Sequence, residues 1–268
     1  MEVATNKPSR TTAARAVLAS KLGDMSSLEK GRERTQKAVE WIYRWGWASP
    51  TTLEILAGTQ RSGLALRLLK NNLLVSTKTL SRRTEKFLPG TFLTLTHTGR
   101  HLAEVNRENQ MQYECRPERI NQNHLLHDEM AQRATAERLA AGTIKDYVTE
   151  KEMQSRSMNC FKHPDVAWIF PDGLTVSVEI ELSPKWERDL HTFVHSTLVS
   201  LSKKDGPARF DRMVLVTDSP AICKRYQAAF LPGATYSLWK KNDKGRWVAV
   251  QQAQVPSWSN ERIMWKLI

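Results

Sequence analysis

Three carboxylates stand where two neighbouring strands would bring them together. Asp165 follows Pro164 at the head of the apolar run 166–170, and Glu179 and Glu181 alternate with Val178, Ile180 and Leu182 in the run 174–182. Pro171-Asp172-Gly173 between the runs reads as a tight turn. Alternate residues of a strand share a face, so Glu179 and Glu181 project together while the aliphatic residues face a core. If the two runs pair across the turn, Asp165 joins them. Like charges that close repel, and the natural compensation is a hard divalent cation, Mg²⁺ or Mn²⁺, with Asp165, Glu179 and Glu181 as oxygen ligands. Such an ion binds a phosphate, lowers the pKa of an attacking water and neutralises a leaving oxygen. Lys185, just past the strand end, is placed to stabilise the transition state. The other reading of the same residues is that Glu181 pairs with Lys185 or Arg188 and binds no metal.

The elements that must hold these groups are legible as periodic patterns. A helix is expected over 123–141, with Leu125, Leu126, Met130, Ala134 and Leu139 on its apolar side and Gly142 as its stop. It carries His127 and Asp128. Strands are expected at 144–149, 166–170, 174–182 and 213–217, with helices at 185–201 and 220–230, and 236–240 and 247–250 read as closing strands. That order predicts an α/β domain around a mixed sheet over residues 118–255, followed by a tail at 256–268.

The first part of the chain has a different character. Residues 1–110 hold 18 Lys and Arg against 9 Asp and Glu, a net +9, whereas residues 111–268 carry only +3 of the total +12. Such asymmetry points to a polyanion partner. Residues 1–30 read as a mobile basic arm. Beyond them come a helix with Ala38, Trp41, Ile42 and Trp45 inside, and a short helix opened by Ser49-Pro50 and stopped by Gly58. A third helix follows, with Leu64, Leu66, Leu68 and Leu69 inside and Gln60, Arg61, Arg67 and Lys70 outside. Runs at 74–80 and 91–96, joined by SRRTEKFLPG, complete it as a β-ribbon. This is the order of a winged helix-turn-helix over residues 31–110. In that reading the third helix enters the major groove of duplex DNA, while Arg82, Arg83 and Lys86 on the wing touch phosphates.

Other classes fall away. No run approaches the roughly 18 apolar residues of a membrane span, so no membrane insertion is expected. The N-terminus lacks an apolar signal region, and Cys115, Cys160 and Cys223 are isolated. A disulfide framework and a zinc finger are both excluded on that count, and a bacterial cytoplasm is the expected compartment. His163, His191 and His195 read as surface or helix-face residues, and Trp186 as a partly buried aromatic or a base-stacking one.

Asp165, a gap of 13 residues, then Glu179 and a charged residue at 181 resembles the signature of the PD-(D/E)XK nuclease superfamily. It departs from that signature where Glu181 occupies the lysine position, the nearest lysine being Lys185. The longer string Val178-Glu-Ile-Glu-Leu-Ser-Pro-Lys185, with Arg188 and Leu190 following and His127-Asp128 upstream, is similar to the replication-relaxation family and the MobC-type plasmid relaxases. The similarity spans about residues 34–220. It implies an α+β protein of two domains, a winged helix joined to a restriction-endonuclease-like domain, with Asp165, Glu179, Glu181, Lys185 and His127 catalytic. The implied activity is Mg²⁺- or Mn²⁺-dependent nicking of plasmid DNA at a transfer or mobilisation origin, in company with other mobilisation or replication proteins. The alternative is a non-catalytic DNA-binding accessory protein on a degenerate nuclease fold. Tyr113, Tyr147, Tyr226 and Tyr236 include no adjacent pair and no His-x-His companion, which disfavours a tyrosine-and-histidine-triad relaxase.

Overall fold

A computed structural model of the protein describes residues 26–58, 62–81, 85–105, 107–156, 163–203 and 208–268. The expected arm, together with Gln60, Arg61, Arg82 and Arg83, lies wholly or almost wholly outside them. The chain is mixed α+β with several sheets. No helix of the described residues is long and apolar enough to cross a membrane.

Helix α1 (Ser27–Trp45) opens with a reciprocal capping box, Ser26 and Glu29 each bonding the other's backbone N–H. It ends at Gly46, whose φ of 93° a β-carbon would strain. The Ser49 side chain accepts the Thr52 N–H to cap α2 (Pro50–Ala57), with Pro50 preset for the first turn. Then come α3 (Leu64–Lys70), β1 (Leu74–Lys78), β2 (Thr91–Leu95) and α4 (His97–Glu104). The two strands form an antiparallel ribbon in which Leu74 faces Leu95. Gly99 of α4 sits hard against this ribbon, and a Cβ there would run into the Leu73 carbonyl. Tyr113 in the following loop donates to the Gly46 carbonyl at 2.9 Å and accepts the Leu95 N–H at 2.8 Å. The loop is thereby anchored to the helices before it.

The second half is built on a five-stranded sheet of order β3-β4-β5-β6-β9, formed by β3 (Asp146–Thr149), β4 (Val166–Ile169), β5 (Thr175–Ile180), β6 (Arg212–Thr217) and β9 (Ile263–Leu267). The first three strands are an antiparallel meander, while β5, β6 and β9 run parallel. Helix α5 (Leu125–Ala140) and the short α6 (Glu150–Arg156) flank β3 in sequence. Helix α7 (Glu187–Leu201) links β5 to β6, and α8 (Pro220–Ala229) follows β6. Two expectations need correction. Residues 256–268 are not a tail but α9 (Ser259–Arg262) and β9, whose Ile263 fills the core beside β6. Strands β7 (Thr235–Lys241) and β8 (Trp247–Gln254) do not close the main sheet. Among the described residues they pair only with each other, and β8 is exposed along almost its whole length.

Strand alternation divides the core. Val166, Trp168, Val176, Val178, Ile180, Val214 and Val216 face α5, whereas Ala167, Met213, Leu215 and Ile263 face α7 and α8. Trp168 is fully buried and donates from Nε1 to Thr135 Oγ1 at 2.9 Å, so truncating it would cost about 3–5 kcal/mol. The α5-facing cluster runs without a break to Ala38, Trp41, Ile42 and Leu53, across the boundary expected near 110–118. Polar contacts reinforce the junction. Trp41 Nε1 donates to Gln132 Oε1 at 2.8 Å, and Ser49 and Thr52 hydroxyls donate to Glu129 Oε1 at 2.6 and 3.1 Å. Burial pushes the Glu129 carboxyl up to about 7 against the help of those hydroxyls.

Candidate functional site

The β4–β5 register begins with Val166 facing Val178, and Asp165 lies just before it, beside α5. Asp165 Oδ2 accepts the Ile180 N–H at 2.6 Å, which fixes its carboxylate at the end of β5. His127, one turn into α5, reaches the same point. Its Nε2 is 3.3 Å from Asp165 Oδ2 and 3.1 Å from the Ile180 carbonyl, and its Nδ1 is 3.1 Å from Asp128 Oδ1. Burial alone would lower the imidazole pKa, but hydrogen bonds and charge from Asp128 and Asp165 outweigh it and push it up to about 10. At neutral pH both ring nitrogens therefore carry protons: Nδ1 donates to Asp128, and Nε2 is shared between the Ile180 carbonyl and the Asp165 carboxylate.

Beside this pair opens a cleft of about 90 Å³, lined among others by His127, Asp128, Asp165, Arg44, Thr149 and Lys151. Lys151 lies 5.2 Å above the Tyr113 ring and makes no ion pair among the described residues. Burial, with Arg100 nearby, pulls its pKa down. Arg44 is spent on structure. It stacks 3.7 Å above the Tyr147 ring, donates to Glu152 at 3.0 Å and to Asp146 at 3.1 Å, and bonds the Tyr147 carbonyl. Sequence reasoning missed Lys151. It sits in the mixed-charge run Thr149-Glu-Lys-Glu, where nothing distinguishes one lysine from a solvated surface charge.

The remaining expected residues go elsewhere. Glu181 is only 4% exposed; it is ion-paired with Lys185 and accepts the Tyr226 hydroxyl at 2.9 Å on the α7–α8 side of the sheet. Lys185 is thus held on Glu181, with the Phe193 ring 4.9 Å away. Burial and then the Glu181 charge push the Tyr226 hydroxyl well above the usual phenol range. Glu179 is buried at 6% exposure. Asp165 and Glu179 are hard oxygen donors that suit Mg²⁺ or Mn²⁺ in their chemistry, but Glu179 pairs with Leu215 and its charge acts on the Tyr226 hydroxyl, which puts it on the Glu181 face of the sheet. Glu181 is neutralised by Lys185, and among the described residues no three His, Cys, Asp or Glu side chains are grouped to hold a metal.

On the first half, Arg67 and Lys70 are exposed on α3, and Lys86 is exposed beside Phe87. The Arg67 guanidinium also lies 3.4 Å from the Gly31 carbonyl, across to α1. Gln60, Arg61, Arg82 and Arg83 lie outside the described residues.

No family model matches the chain, and no curated protein matches it. Among solved structures, protein VC1899 from Vibrio cholerae is similar at 13% identity over 71% of this chain, with a TM-score of 0.27. The chain spans about half of that protein's length, 48%.

Proposed function

We propose that the chain is a DNA endonuclease that nicks plasmid DNA at a transfer or mobilisation origin. The observation that carries this reading is the cluster at the β4–β5 end: Asp165, held by His127 and the Ile180 N–H, in a cleft shared with Lys151. Helices α1 to α3 and the β1–β2 ribbon form the winged helix-turn-helix of this reading. Arg67 and Lys70 on α3 and Lys86 on the ribbon loop bring the duplex in through phosphates and base edges.

Asp165 would hold Mg²⁺ or Mn²⁺, which when bound supplies charge neutralisation and a more acidic water. The protein's own groups do the rest. The His127 imidazolium, 3.3 Å from Asp165 Oδ2, and the Ile180 N–H hold that carboxylate in one orientation. Lys151 offers its ammonium to a phosphate oxygen in a partly desolvated cleft, where a charge–charge contact is stronger than in water. The test is conversion of the supercoiled parent replicon to relaxed circles with Mg²⁺ or Mn²⁺. Relaxation by the wild type and none by Asp165→Ala is expected; relaxation at equal rates by both refutes the reading.

One observation favours a second reading. The lysine nearest the signature carboxylates is consumed by Glu181, as befits a nuclease-like scaffold that binds DNA without cutting it. Origin binding with no relaxation under any divalent ion would select it.

A further inference from the structure

On the opposite face of the sheet from the Asp165 cleft, α7, α8 and the start of β7 enclose an open groove of about 620 Å³. Its floor is apolar, with Leu190, Val194 and Ala228, and its titratable lining residues are His191, Lys224 and Arg225, with no carboxylate. At the head of α7 stands Trp186, 64% exposed, with the Arg225 guanidinium 3.7 Å above its ring. Arg225 is itself fixed by donating Nε to the Lys185 carbonyl at 2.9 Å. A second exposed indole, Trp247 at 46%, lies against the same first turn, 5.3 Å from the Arg188 guanidinium and 5.5 Å from the Lys241 ammonium. The β7–β8 ribbon that carries it adds Lys240, Lys244 and Arg246.

An exposed indole is costly in water unless something covers it, and here each is paired with a cation that leaves ring surface open. Flat aromatic faces interleaved with positive charge, at the end of an apolar groove whose lining has no carboxylate, match one ligand chemistry, although Glu187 and the Arg188-paired Asp189 share the first turn of α7. Bases stack on the rings while the backbone phosphates follow the cations. Duplex DNA cannot use such a platform, because its bases are already stacked on each other. The geometry points to a single-stranded nucleic-acid site along the α7–α8 groove, with Trp186 stacking a base and Lys224 meeting the backbone. The inference goes beyond the nicking reading and needs no cleavage.

The test is anisotropy of a labelled 15-nucleotide oligothymidylate and of a labelled duplex, with full-length protein in EDTA. Wild type should bind the single strand. Trp186→Ala should weaken that binding by roughly tenfold, the loss expected when one base gives up its ring, while Trp186→Phe keeps most of it. Lys224→Ala should reduce the log–log salt slope by about 0.7 for the single strand. Duplex affinity should be unchanged in all three. The site is refuted by absence of single-strand binding, by an unaltered Trp186→Ala variant, or by equal loss for the duplex. It is also refuted by displacement of the oligonucleotide with polyglutamate at matched charge, which would assign the groove to an acidic protein instead. Because no metal is present, failure here leaves the nicking reading standing, and failure of nicking leaves this site standing.

Discussion

Two polar clusters sit at the same end of the central sheet on opposite faces, and they use the same kinds of residue. On the α7–α8 side Glu181 meets one ammonium, Lys185, and one hydroxyl, Tyr226. On the α5 side the His127 imidazolium is shared between Asp165 and Asp128. The first cluster also feels the Glu179 charge and is closed. The second opens into a cleft that Lys151 helps to line. Access, rather than residue type, separates a buried strut from a place where a cation or a phosphate can enter. That difference moves the expected chemistry from the whole triad of carboxylates to Asp165.

The largest expected effect lies on the open side. Asp165→Ala should reduce nicking below detection while duplex affinity in EDTA stays the same or rises, since a carboxylate facing phosphate repels it. Lys151→Ala should lower kcat by roughly 10²-fold with a small change in KM, the pattern of a group acting on the transition state. A KM effect alone would make Lys151 a binding residue.

On the closed side the effect should be on stability. Breaking a buried ion pair strands the surviving charge, so Lys185→Ala, which leaves the Glu181 carboxylate at 5% exposure, should cost about 3 kcal/mol in urea unfolding. Glu181→Ala should destabilise less, because the ammonium it leaves is partly solvated. The kcat of Lys185→Ala should stay within about threefold. A kcat collapse in Lys185→Ala would return that lysine to the scissile phosphate and erase the distinction between the two clusters.

A smaller, pH-dependent effect separates them further. The folded pKa of His127 is raised to about 10 from an unfolded value near 6.5. Its contribution is therefore fully present below pH ~6.5, declines as pH rises, and is gone above about pH 10. Wild type should lose on the order of 2–4 kcal/mol across that window relative to His127→Asn, measured by chemical denaturation at several pH values. Parallel pH profiles for the two proteins would mean that the carboxylates do not hold the imidazolium.

Much of this arrangement was legible in the chain and some was not, for physical reasons. The alternation Val178-Glu-Ile-Glu-Leu182 announces a strand, and Thr175–Ile180 form one, with Glu181 just past its end. The Pro171-Asp172-Gly173 turn fixes which strand pairs with it, Val166 facing Val178. Whether Glu181 turns to a metal or to Lys185 depends on the path of Leu182-Ser-Pro-Lys185, which periodicity does not encode. Strand β9 was illegible because Ile263–Leu267 follow Ser259–Arg262 directly, with no Gly or Pro between to separate strand from helix. The closing role expected of β7 and β8 failed because hydrophobic alternation does not reveal whether a partner strand has room. The groove beside Trp186 depends on α8 reaching back to α7, a long-range contact with no local signature.

The smallest effects concern the first half. Each neutralised phosphate contributes about 0.9 to the log–log salt slope on duplex DNA, so Lys70→Ala and Lys86→Ala should each flatten it by about that amount. Arg67→Ala should change sequence preference more than slope if α3 lies in the major groove.

The account's central claim is that the Asp165 end, and not the Glu181 end, is the functional one. Calorimetric titration of Mn²⁺ into wild type, Asp165→Ala and Glu181→Gln tests it most directly. One ion bound by wild type and by Glu181→Gln, and none by Asp165→Ala, is the predicted result. No binding by wild type, or loss in Glu181→Gln equal to that in Asp165→Ala, would contradict it.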